Sequence, residues 1–106
     1  MILEAQFEAH HLDAFSKTIG KDAEAVLTLQ RTSGLDGGQI INVITDLAKL
    51  SPETLKFLAV GFCSVLGARL VFRPRSNSDL KNAKKLTITK RTTVEEVVEV
   101  MISDHD

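Results

Sequence analysis

Two adjacent histidines, His10 and His11, with Asp13 close behind, form the cluster whose residue types best suit metal binding. Zinc is usually held by four imidazole, thiolate or carboxylate ligands at characteristic spacings. Adjacent side chains on a helix or strand point apart, and two further ligands at a suitable spacing are missing. We therefore expect a polar cluster at a helix start, with no metal and no other cofactor. His105 belongs to the last residues, 104–106, which we expect to fray.

The glycine-rich stretch Gly34-Leu-Asp-Gly37-Gly38 follows an expected strand and precedes an expected helix, where a phosphate-binding loop would lie. It lacks the Lys-Ser/Thr pair of a P-loop and the spacing of a dinucleotide fingerprint, and Asp36 would repel an anion. Its GxxG pattern also occurs in KH domains, but there it joins two helices and is usually basic. We expect a turn that leads into a helix cap.

The spacing of serine, histidine, acidic and cysteine residues suggests no set for nucleophilic catalysis, so we expect a non-enzymatic protein. Cys63 is the single cysteine, which excludes an internal disulfide and fits a reducing cytoplasm. It lies in an apolar stretch, whereas a reactive thiol needs exposure and a nearby positive charge. No secretory leader or membrane-spanning run is evident at this length.

The helix expected to organise the core covers residues 51–68. Ser51 is a plausible N-cap, and Pro52 and Glu53 suit the first turn. No side chain from residue 57 to 68 is charged, which indicates burial on more than one side. Gly61 belongs to a strip of small residues where another element could approach closely.

The remaining elements predict an α+β domain over residues 1–103, with a small mixed or antiparallel sheet and helices mainly on one face. Residues 39–50 are expected to be helical because an apolar stripe of Ile40, Val43 or Ile44, and Leu47 lies opposite Asp46 and Lys49, although the β-branched residues leave a strand possible. The short junction to the core helix predicts a helical hairpin between the two. The predicted order is β-α-β-α-α-β-β-α, over residues 2–8, 10–19, 25–31, 39–50, 51–68, 69–73, 86–91 and 94–102.

Charge is strongly segregated along the chain. The segment from Arg69 to Arg91 holds eight basic residues against Asp79, a charge of +7, whereas the rest of the chain carries −8. This basic segment is either a solvated hairpin or a surface for an acidic protein or for nucleic acid. Its only aromatic residue is Phe72, which is poor support for base stacking. The candidate partner-binding residues are Arg73, Arg75, Lys81, Lys84, Lys85, Lys90 and Arg91.

We favour a protein partner with an acidic surface, and a second copy joined head to tail is the homo-oligomeric variant. Nucleic acid is the alternative partner, bound through the same residues. We expect no membrane partner.

From about Val26 to Met101 the chain resembles the effector-associated constant components of bacterial conflict systems. The likeness lies in residues 27–31 running into the Gly-rich stretch, then 40–47, the small-residue helix 58–67 and the basic strand 69–73. A second strand and the last helix, 94–102, complete it. The resemblance implies an adaptor that couples a sensing partner to an effector, and it implies no catalytic residue. A phage-encoded inhibitor would have the same interaction chemistry.

Overall fold

The structure, a computed structural model, describes residues 1–34, 38–74 and 83–103. Within these residues it contains five strands, three helices and two short 3₁₀ turns. The strands are β1 (Ile2–Glu8), β2 (Thr28–Ser33), β3 (Gln39–Asp46), β4 (Arg69–Arg73) and β5 (Lys84–Thr87). The helices are α1 (Leu12–Ala25), α2 (Pro52–Cys63) and α3 (Val94–Ser103), and the 3₁₀ turns are Ala9–His11 and Leu47–Lys49.

The five strands form one antiparallel sheet in the order β2-β3-β1-β4-β5. The predicted α+β class is confirmed. The sheet keeps its helices on one face, since the buried residues of β1, β3 and β4 join the helices in a single core cluster. Leu3, Ala5 and Phe7 alternate along β1 and are all buried.

The expected helix over residues 39–50 is wrong, and with it the expected helical hairpin. Residues 39–46 form strand β3, and burial alternates along it, with Ile41, Val43 and Thr45 buried and their neighbours half-buried. β-Branched side chains are stiff at χ1 and suit the pleated surface of a sheet, so their concentration here outweighs the helical stripe. The observed order is therefore β-α-β-β-α-β-β-α.

Helix α2 begins as its sequence predicts. The Ser51 hydroxyl accepts a hydrogen bond from the backbone N–H of Thr54 at 3.1 Å, and Pro52 occupies the first turn. The helix ends at Cys63, earlier than expected. Gly67 lies in the following turn with φ of +88°, a conformation that strongly favours glycine. Phe62 is completely buried and contacts the Phe15 ring with centroids 5.0 Å apart.

Several predicted boundaries are shifted. Helix α1 bends at Gly20, with φ of +84°, but resumes and reaches Ala25. Strand β2 therefore starts at Thr28, and Val26, which lies within the predicted strand 25–31, is outside it and 49% exposed. Strand β5 runs from Lys84 to Thr87, whereas the predicted strand covers residues 86–91.

The last predicted helix, over residues 94–102, is present as α3. Val97 and Met101 are buried, and Val94 and Val98 pack against the core. Ile102, near the end of the helix, is 45% exposed. The Thr93 hydroxyl accepts a hydrogen bond from the backbone N–H of Glu96, as an N-cap does. Among the described residues, no helix has the length and hydrophobicity needed to cross a membrane.

Candidate functional site

The sheet presents the face opposite the helices as a surface of side chains, here called the open face. Strand alternation places the residues between core positions on this side, and register aligns them into rows across all five strands. None of these side chains is fully buried. We define the open face by its two complete rows, Thr28–Ile44–Glu4–Val71–Lys85 and Gln30–Asn42–Gln6–Arg69–Thr87.

The open face is a shallow depression of about 420 Å³ lined by residues of every strand. Two of its amides, those of Gln6 and Asn42, are held by hydrogen bonds. Gln6 Nε2 donates to Asn42 Oδ1 at 2.8 Å, and Asn42 Nδ2 donates to Thr32 Oγ1 at 3.1 Å. Beside these amides, Ile44 and Val71 supply half-buried aliphatic surface. The depression thus offers oriented polar groups next to apolar contact area.

The charges on this face are unevenly compensated. The Arg73 guanidinium pairs with Glu4, with Nη2 of Arg73 2.9 Å from Oε1 of Glu4. Arg69 and Lys85 are exposed, and within the described residues neither side chain forms an ion pair or hydrogen bond. The β4–β5 side of the open face therefore carries two cations that an acidic group on another molecule can reach.

The structure separates the candidate residues of the basic segment. Lys85 lies opposite Val71 on the open face, whereas its neighbour Lys84 lies opposite Phe72, on the side of the helices. Lys90 and Arg91 occupy a turn beyond β5. Arg73 contributes to the open face but is already paired. Arg75 and Lys81 lie outside the described residues.

Arg69, Asn42 and Ile44 are not among the candidate contacts predicted from the sequence. Arg69 was counted in the basic segment, but its register beside Gln6 emerges only from the sheet. Asn42 and Ile44 were assigned to a helix, which hid their common face. The five β-branched residues among positions 40–45 are the signal that could have identified them.

The structure does not place the glycine-rich stretch before a helix, as a phosphate-binding loop requires. Gly34 and Gly38 are the described ends of the connection from β2 to β3, and the intervening residues, with Asp36, lie outside the described part of the chain. A strand follows this connection where a helix was expected. The helix N-terminus that would attract an anion is therefore missing at this place in the described chain.

The environment of the single cysteine disfavours a reactive thiolate. Cys63 is half-buried at the end of α2. Burial raises the pKa of its thiol above the ordinary 9.0, and the nearby carboxylates of Glu95 and Glu96 raise it further. The thiol is therefore protonated at neutral pH, as a structural cysteine should be.

The histidine cluster differs from its expected geometry. The rings of His10 and His11 do not point apart: their centroids are 4.0 Å apart, with 41° between the ring planes. Nδ1 of His10 also lies 3.2 Å from Oε2 of Glu8. Asp13, the acid suggested by the sequence, pairs instead with Lys17 at 3.2 Å.

Comparison with protein-family models, with curated proteins and with solved structures finds no match to this chain.

Proposed function

We propose that this chain is a non-enzymatic protein–protein interaction module whose open face binds a partner with an acidic surface. One observation carries the proposal: one face of a five-stranded sheet has no helix over it and holds Arg69 and Lys85 without ionic partners in the described chain. A partner carboxylate that meets these cations would form charge-assisted hydrogen bonds, which are stronger than neutral ones.

The surroundings of these cations favour protein over nucleic acid. Proteins that bind single strands on a sheet stack the bases on aromatic side chains. All five phenylalanines lie away from the open face, and the chain has no Tyr or Trp. Amides, threonines and aliphatic side chains are instead groups that pack against and hydrogen-bond to another polypeptide.

We propose that the protein acts as an adaptor that couples two other proteins in a bacterial or phage conflict system. Its support is the sequence resemblance to effector-associated constant components, together with a sheet face that no helix of the described residues covers. An inhibitor carried by a phage would use the same face, and the identity of the captured partner distinguishes the two.

The test is affinity capture from the cells that encode the protein, followed by reconstitution with the purified partner. Wild-type protein is compared with a double variant, Arg69→Glu with Lys85→Glu. The control reverses two exposed lysines on the helix side, Lys21→Glu with Lys56→Glu, and changes net charge equally. Far-UV circular dichroism verifies that every variant is folded.

We expect the open-face variant to weaken the reconstituted complex at least tenfold, and the helix-side control to leave its affinity within about twofold. Equal weakening by both variants would mean that net charge alone drives binding. Capture of nucleic acid, with an affinity that falls steeply with salt, would favour the alternative function. Either result would contradict the proposal, as would the absence of any partner that requires the open face.

A further inference from the structure

Where β1 ends, the chain makes a tight turn that gathers three metal-ligating side chains. Glu8 is the last residue of β1, and the 3₁₀ turn Ala9–His11 leads directly into α1. This turn brings one ligand atom from each of Glu8, His10 and His11 within 4.8 Å of the other two. Adjacent histidines would diverge on a regular strand, so the turn itself creates the cluster.

We propose that Glu8, His10 and His11 bind a divalent late transition-metal ion, with Zn²⁺ as the reference case. Imidazole nitrogen suits Zn²⁺, Cu²⁺ and Ni²⁺, and a carboxylate oxygen completes a mixed nitrogen–oxygen set. Three protein ligands leave a tetrahedral ion one position for water or for a donor from another molecule.

The distances are close to those of a bound ion. Ligand bonds of about 2.0–2.1 Å in a tetrahedral site put neighbouring ligand atoms about 3.3 Å apart. Oε2 of Glu8 and Nδ1 of His10 are already 3.2 Å apart. The remaining separations, at most 4.8 Å, need to shorten by about 1.5 Å or less. Side-chain rotation can supply that movement, because Glu8 and His10 are exposed and His11 is half-buried.

The local charge favours a cation. Glu8 is an acid whose described ion-pair partner is His10, so a metal would replace that contact and gain a negatively charged ligand. Asp13 is paired with Lys17 on the exposed surface of α1 and is not part of the cluster. Glu8 lies at the end of β1, outside the two rows that define the open face, so substitutions of the metal ligands and of Arg69 or Lys85 test the two proposals separately.

The test is isothermal titration of the untagged full chain with ZnCl₂ in a buffer that does not chelate zinc. We expect one ion per chain, with affinity reduced about tenfold or more by either His10→Ala or His11→Ala, and also reduced by Glu8→Gln. His105→Ala is the matched control, since it removes the remaining histidine, and it should leave affinity unchanged. Backbone amide resonances of residues 8–11 should shift during the same titration.

Three outcomes would overturn the proposal. The wild-type chain could fail to bind Zn²⁺, Cu²⁺ or Ni²⁺ at millimolar metal. Binding could survive the replacement of both His10 and His11 by alanine. It could also depend on His105, which would move the site to the end of the chain.

Discussion

Arg73 on β4 donates two hydrogen bonds to a single carboxylate oxygen of Glu4 on β1, from Nε at 3.0 Å and from Nη2 at 2.9 Å. The pair crosses the boundary between the two strands on the open face. It neutralises the acid at the centre of that face, so Glu4 does not compensate Arg69 or Lys85. This pairing gives the β4–β5 side its net positive character.

The Glu4–Arg73 pair should contribute only modestly to stability. Its side chains are 42% and 30% exposed, so solvent screens the attraction. A double-mutant cycle with Glu4→Gln and Arg73→Met, followed by urea unfolding, should give a coupling free energy of about 0.2–1 kcal/mol. A coupling above about 2 kcal/mol would contradict this description of a screened pair.

Phe62→Ala should destabilise the protein by about 3–5 kcal/mol because it empties a fully buried site between the helices. Phe57→Ala is the control on the same helix, where the ring is 45% exposed, and it should cost less than half as much. The free energy of unfolding is measured for both in urea. Similar losses for the two variants would contradict the assignment of the inner face of α2.

Gly61→Ala should destabilise the protein despite alanine's higher helix propensity. An added Cβ would overlap Cγ2 of Ile19 and lie 3.1 Å from Cε1 of Phe15. Overpacking of this kind costs about 1–3 kcal/mol, against a propensity gain of about 1 kcal/mol. In an Ile19→Ala background, where Cγ2 is absent, the same substitution should be neutral or stabilising. Stabilisation in the wild-type background would show that α1 and α2 are farther apart.

Cys63 should ionise only above pH 9.0, because burial and the two carboxylates raise its pKa. The rate of iodoacetamide labelling against pH should therefore have its midpoint above that value, and the midpoint should fall towards it in urea. The linked stability is fully present below the unfolded pKa and is lost as pH rises through the folded one. A native midpoint below 9.0 would indicate an activated thiol instead.

Local signals were sufficient for the elements whose boundaries are chemically marked. Ser51 and Pro52 specify the start of α2, and alternation specifies β1. Residues 39–46 were misassigned because Ile40, Ile44 and Leu47 satisfy a helical period, whereas the strand period is carried by the buried Ile41, Val43 and Thr45. The choice between the two depends on pairing with β1, whose partner residues lie 32 to 44 positions away and are invisible to a local pattern.

The same limit applies to the candidate site. The basic segment was evident from composition, but the face on which each cation lies follows from strand register. Lys84 and Lys85 are neighbours in sequence and lie on opposite faces. The pairing of Arg73 with Glu4 joins residues 69 positions apart. The histidine cluster was rejected on regular geometry, which the 3₁₀ turn at Ala9–His11 does not have.

The most direct test of the open face compares Lys85→Glu with Lys84→Glu in binding to the purified partner by isothermal titration. The two variants make the same charge change one residue apart on β5, and unfolding in urea verifies that both are folded. If the partner binds the open face, Lys85→Glu should weaken binding about tenfold and Lys84→Glu should change it less than about twofold. Equal effects of the two variants would contradict binding by the open face, because binding would then depend on the total charge of the basic segment and not on the face that each lysine occupies.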